Sequence, residues 1–140
     1  MRLIRVVLDT NVIVSAHLNA NGYERNVLDL ILVDKLQLSA SELILTEYEA
    51  VLRRAKFRIA PRHVTRSIGM LRKVARLVRP VHEFRVAQDP EDNRFLECAE
   101  KSRADFLVTG NKRHFPREWR QTRVVNAREL LEWIVPELKR

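Results

Sequence analysis

The sequence predicts an α/β fold, a three-layer α/β/α sandwich built on a central parallel sheet. Three observations carry that expectation. Short, nearly continuous apolar segments with β-branched residues, "LIRVVLD" (3–9) and "FLVTGN" (106–111), suit strands covered on both faces. Longer segments between them repeat their apolar residues at helical spacing. The two patterns alternate along the chain, as parallel strands joined by crossover helices require. With 140 residues, 46% of them hydrophobic, and no Gly/Ser-rich linker or repeat, residues 1–140 are expected to form a single domain.

The elements follow in order. After the first strand, Tyr23 to Lys35 places Val27, Leu30, Ile31 and Asp34 at helical spacing, and "LQLS" (36–39) reads as a brief second strand. Ser39 and Glu42 form an S-x-x-E pattern that predicts a capping box, opening a helix that runs to about Arg54. A second helix, from about Pro61 to Val78, carries Val64, Ile68, Leu71, Ala75 and Val78 on one stripe. Arg62, Arg66, Lys73 and Arg76 fall on its other side. In "QDPEDNRFLECAEKSRA" the helix start is read at Asp89 as N-cap, with Pro90 in first position and Glu91 and Asp92 in the first turn. "RVVNARELLEWIV" reads as a strand followed by a closing helix.

Charge divides the chain unevenly. Lys and Arg number 26 against 18 Asp and Glu, a net +8, and ten of the basic residues fall between Ala50 and His82, where there is no acid. About a quarter of the chain therefore holds the whole positive excess. Such a stretch fits a solvated helix face, and it fits equally a surface for polyanions, where phosphate contacts release counterions. The apolar runs are short and cut by charge, as Asp29 and Asp34 cut "VLDLILVDKL", so no membrane span is expected. The one cysteine, Cys98, allows neither an internal disulfide nor a cysteine-based zinc site, which fits a cytoplasmic protein.

Acids on apolar stripes need a reason, because removing a carboxylate from water is costly without a partner. Asp9 follows a central-looking strand, at the edge where open parallel sheets bind ligands. A helix cap would explain it as well. Glu47 lies three residues after Ile44 and four before Val51, on the apolar stripe of its helix, where either a buried salt bridge to an arginine or a ligand role accounts for it. Asp92 precedes Phe95, Leu96 and Ala99 by three, four and seven residues and faces the same edge as Asp9; capping is the alternative. Asn111 lies past the end of "FLVTG", with Thr109 two residues earlier. Asp105 precedes that strand and belongs at the opposite edge. Three carboxylates brought together would repel one another unless a cation compensated them, and oxygen ligands suit Mg²⁺ or Mn²⁺. The four histidines show no metal-ligand spacing, although His114 follows Asn111 closely.

"VVLDTNVIVSA", "LTEYEAVLRRAKF" and "DPEDNRFLECAEKSRADFLVTGNKRHF", in that order, resemble the PIN domain. The likeness is nearest to the small VapC-like proteins that serve as toxin components of toxin–antitoxin modules, and it covers essentially the whole chain. The resemblance implies a metal-dependent ribonuclease whose acidic cluster maps onto Asp9, Glu47 and Asp92, with Mg²⁺ or Mn²⁺ as cofactor. The family's last acid, usually Asp in "T-x-D", falls on Asn111 of "TGN" here. That departure removes one negative charge and implies weaker metal binding. Asn11 and Thr109 become supporting groups for waters or for the Asp9 carboxylate. The resemblance also implies an antitoxin partner and a homodimer.

On this reading RNA is the substrate, cut to 5′-phosphate and 3′-hydroxyl ends as the resemblance implies. Arg53, Arg54, Arg62, Arg66, Lys73 and Arg76 are expected to track its backbone, with Lys112 and Arg113 near the site. Tyr48 and Trp119 are expected in the core rather than against a base. A second reading is a PIN-fold module that binds RNA or protein after losing its chemistry at Asn111. A third, phosphoryl transfer, fits poorly: a phosphatase of the haloacid-dehalogenase type wants Asp where Asn11 stands, and a receiver wants paired acids near "MRLIRVV".

Overall fold

The computed structural model describes residues 2–81 and 90–135. A six-stranded sheet runs in the order β3-β2-β1-β4-β6-β5. Its strands are β1 (Arg5–Leu8), β2 (Gln37–Ala40), β3 (Arg76–Leu77), β4 (Phe106–Val108), β5 (Glu118–Trp119) and β6 (Thr122–Val125). All neighbours pair in parallel except β5, a short edge strand antiparallel to β6. The central strands β1 and β4 are buried almost throughout, which is why their sequences run apolar without alternation.

The helices are α1 (Thr10–Leu18), α2 (Tyr23–Leu32), α3 (Glu42–Leu52), α4 (Pro61–Val74), α5 (Asn93–Ser102) and α6 (Ala127–Ile134). Helix α5 packs on β1, β2 and β4, whereas α6 packs on β4 and against α2, which in turn holds α1. Helix α3 lies between α1 and α4. The core joins both layers through Val6, Val7, Leu8, Tyr48, Phe95 and Leu96, each 1% exposed or less. Among the described residues no helix is long and apolar enough to cross a membrane.

Three local expectations change. The cap of α3 is Ser41, whose hydroxyl accepts from the backbone N–H of Ile44 at 3.2 Å. Ser39 lies on β2 instead, since pairing with β3 continues through Ala40 and postpones the helix start by two residues. Helix α4 stops at Val74 because the chain turns extended at Ala75 and pairs Arg76 and Leu77 with Ser39 and Ala40. Helix α5 begins at Asn93, after a single 3₁₀ turn over Pro90–Asp92, so Asp92 caps it rather than lying inside it. Asp89, read as the cap, falls outside the described residues. Helix α6 has a full capping box between Asn126 and Glu129.

Candidate active site

The carboxyl ends of β1 and β4 meet side by side, with Leu8 paired to Val108. The chain leaves β1 directly into α1, so Asp9 is both the last residue of the strand edge and the N-cap of the helix. Its carboxylate is 6% exposed. Oδ1 accepts the N–H of Thr10 at 2.7 Å; Oδ2 accepts Thr109 Oγ1 at 2.8 Å and Asn11 Nδ2 at 3.2 Å. The Thr109 hydroxyl itself accepts the N–H of Asn111 at 3.0 Å, which directs its proton to Asp9. The side chain of Asn11 also accepts the N–H of Gly110 at 3.0 Å, tying the two strand ends together. Both supporting residues thus act on Asp9.

All three of those donors are neutral. Burial pushes the Asp9 carboxyl up to about 6, opposed by the Thr109 and Thr10 hydrogen bonds and assisted by the charges of Asp92 and Glu47. The structure therefore brings the three acids within electrostatic reach of one another, from β1, α3 and the start of α5. Asp92 is 17% exposed, and His114 Nδ1 stands 3.5 Å from its Oδ2. Glu47 is 19% exposed and engaged on both oxygens: Thr10 Oγ1 donates to Oε2, and Arg94 Nη1 donates to Oε1 at 2.8 Å. Glu47 thus forms a salt bridge to an arginine, and its charge also acts on Asp9.

Arg94 was not singled out by its sequence position. The available signal is its place two residues after Asp92, one helical step from the pocket, since a basic residue there must face either solvent or the acids. Its Nε–H is buried without an acceptor among the described residues. Asn111 lies exposed at the rim, beside Lys112 and Arg113 in a hollow that also includes His114 and Asn126. Lys112 pairs with Glu129 at 2.8 Å.

Residues 5–113 match the PIN domain family model. The chain belongs to the PIN domain family. It is 35% identical over 112 residues to the uncharacterized protein MJ1680 of Methanocaldococcus jannaschii, an alignment covering 78% of this chain and 72% of that one. Its fold resembles that of VapBC2 from Rickettsia felis, solved bound to a DNA fragment from their promoter, with a TM-score of 0.59 at 15% identity. That match covers 88% of this chain and 98% of the other.

In this PIN domain the donor chemistry suits a hard divalent cation. Asp9 is a nearly buried carboxylate whose own donors are all neutral, and the charges of Asp92 and Glu47 add to it. Among the described residues no three His, Cys, Asp or Glu side chains are already gathered to ligate one ion. Glu47 is already engaged by Arg94 and Thr10, whereas the donors at Asp9 are all neutral. One or two carboxylates completed by water is the usual protein share of a Mg²⁺ site.

The basic residues divide. Glu42 and Glu49, which hold Arg72 and Arg53, lie on the side of α3 away from Glu47, at about 100° per residue. Helix α4 docks on that side, so Arg62, Arg66 and Lys73 are exposed there and are not brought to the carboxylates. Arg54 and Arg76 are likewise exposed, and among the described residues neither has a partner at the pocket. Tyr48 is wholly buried and donates its hydroxyl to the carbonyl of Leu8, which removes it from any contact with a base. Trp119 is half-buried on β5. Asp105 binds Arg2 and the N–H of Arg5 at the opposite edge, as its position before β4 requires.

Proposed function

We propose that this PIN domain is a metal-dependent endoribonuclease, with Asp9, Glu47 and Asp92 as its acidic centre, and that it is the toxin of a toxin–antitoxin pair. One observation carries the chemistry: Asp9 is a buried carboxylate at the ligand edge of a parallel sheet, supported by neutral donors and flanked by two more acids. A divalent cation bound there would neutralise phosphate charge and lower the pKa of a water. Asp9 and Asp92 would hold it. Thr109 and Asn11 keep the Asp9 carboxylate aimed, and Arg94 keeps Glu47 from adding a second uncompensated charge. Asn111, at the rim, offers an amide oxygen to water or to the cation's shell. Lys112 and Arg113 stand next to it for the phosphate backbone.

The toxin assignment is supported by the sequence resemblance to VapC-like proteins and the fold shared with VapBC2. An antitoxin chain and a second copy of this chain are the partners it implies. A weakened module that only binds RNA or protein is the second reading, favoured by Asn111 and by the closure of Glu47 with Arg94.

The experiment is a Mn²⁺ and Mg²⁺ titration followed by thermal unfolding, beside Asp92→Asn, and an RNA cleavage assay beside Asp9→Asn. A cation that binds only the native state raises its stability. Stabilisation of the parent, lost in Asp92→Asn, and cleavage lost in Asp9→Asn are expected. Cleavage surviving in Asp9→Asn would sink the site assignment. No stabilisation up to millimolar ion selects the binding module.

A further inference from the structure

One hollow of the described surface lies away from α4. A groove of about 700 Å³ runs along the β6 and α6 side, lined among others by Lys112, Arg113, Arg117, Glu118, Arg123 and Trp133. It shares Lys112 and Arg113 with the hollow at Asn111, so it opens onto the rim of the acidic site. At its other end Arg123 and Trp133 also line a hollow reaching Asp105, at the opposite edge of the sheet. The register gives the direction: Val125 pairs with Val108 beside the site, and Arg123 with Phe106 two residues down.

The charge along this path is free to act. Glu129 is held by Lys112 and Glu132 by Arg128. Among the described residues Arg113 and Arg117 make no ion pair, and Arg123 lies over the Trp133 ring, 4.9 Å from its centroid. Among the described residues that line the groove, Glu118 is the acid with no ion pair. Trp133 is 54% exposed although Phe106 supports it from 5.8 Å away. A large aromatic left in solvent, with an arginine over its face and more arginines along the track, matches what single-stranded nucleic acids need. The guanidinium groups meet phosphates and the ring takes a base. A duplex keeps its base faces stacked and could not use the tryptophan.

We propose that single-stranded RNA leaves the acidic site along this groove, its phosphates on Arg113, Arg117 and Arg123 and a base on Trp133. The proposal rests on the ribonuclease reading. It names a path different from the basic helices that the sequence suggests.

The test is binding of a fluorescent 12-nucleotide RNA in EDTA, where no cleavage occurs, with cleavage in Mn²⁺ assayed separately. Trp133→Ala is expected to weaken binding about tenfold and Trp133→Phe to restore most of it. Each of Arg113→Ala and Arg117→Ala should lower the slope of log K against log salt by about 0.7. A duplex of the same length should not respond to Trp133→Ala. Melting temperatures report whether each variant is folded; these side chains are exposed, and the phenylalanine variant controls for local packing. RNA affinity unchanged by all three alanine substitutions overturns the groove, whatever the cleavage result. The same substitutions abolishing capture of a polyglutamate peptide while sparing RNA also overturn it, in favour of an acidic protein segment. If instead RNA binding falls as expected but the parent shows no metal-dependent cleavage, the groove stands and the ribonuclease reading fails.

Discussion

Arg94 and Glu47 form an ion pair at 2.8 Å beside the acidic pocket, with their side chains 21% and 19% exposed. The pair joins α5 to α3 and sets the charge of the site. Without it, the Glu47 charge would add to that of Asp9 without its arginine partner.

Removing one member of such a pair leaves the other desolvated and alone. Arg94→Ala is expected to destabilise the metal-free protein by about 1–3 kcal/mol, less than for a fully buried pair because water screens this one in part. It should also release Glu47 for ligation, so Mn²⁺ should bind more tightly while the metal-free protein is weaker. Arg94→Lys should fall between. Urea unfolding in EDTA and calorimetric Mn²⁺ titration read the two effects separately. A variant unchanged in both would reduce the pair to a surface contact.

Asp9 gives the pH dependence. Burial, with help from Asp92 and Glu47, raises its carboxyl from 3.8 to about 6 in the folded state. Between those values the native protein holds a proton that the unfolded chain has released. Stability from this group is therefore fullest below pH 4 and lost as pH rises through 6, a total of about 3 kcal/mol in the absence of metal. Asp9→Asn removes the titration. In EDTA the variant should be more stable than the parent at pH 8, by less than that total because the amide fits the donors of Thr109 and Asn11 poorly. The advantage should vanish near pH 4. Denaturant midpoints across that range test it, and a constant difference at every pH would refute the assigned cause.

Much of this was legible in the sequence, for identifiable reasons. Asp9, Glu47 and Asp92 stood out because each lies where a periodic apolar pattern leaves no room for a charge, and the structure brings all three within electrostatic reach. Thr109 and Asn11 needed the resemblance, because a threonine and an asparagine at a strand end have ordinary turn duties. Arg94 was hidden by its type: an arginine is expected on any helix surface, and only tertiary packing shows that it faces Glu47. The Ser39 box failed because β2 extends through Ala40, and sheet pairing overrides a local capping pattern. The two-residue strands β3 and β5 carry too little pattern to be read at all. The basic stretch was legible as a charged surface but not in its placement. Counting charge along the chain locates a helix, but which side of α3 that helix packs on is set by the core residues Val64, Ile68 and Leu71.

Asn111 allows the sharpest test of whether this PIN domain is an enzyme. Its backbone N–H holds the Thr109 hydroxyl that holds Asp9, so the residue is already wired to the site through its main chain. Its side chain is exposed at the rim, and Asn111→Asp should change stability in EDTA by no more than about 0.5 kcal/mol. The added charge acts only when a cation is present. Mn²⁺ is expected to bind about tenfold more tightly, equivalent to about 1.4 kcal/mol, and cleavage at limiting Mn²⁺ should rise with the bound fraction. At saturating Mn²⁺ the two proteins should then differ little if the amide of Asn111 already does the work of the acid. A gain that persists at saturation would instead mean that the amide leaves the chemistry itself impaired. No gain in metal affinity would show that the side chain at this position never reaches the cation, and would confine the site to Asp9, Asp92 and the pair held by Arg94.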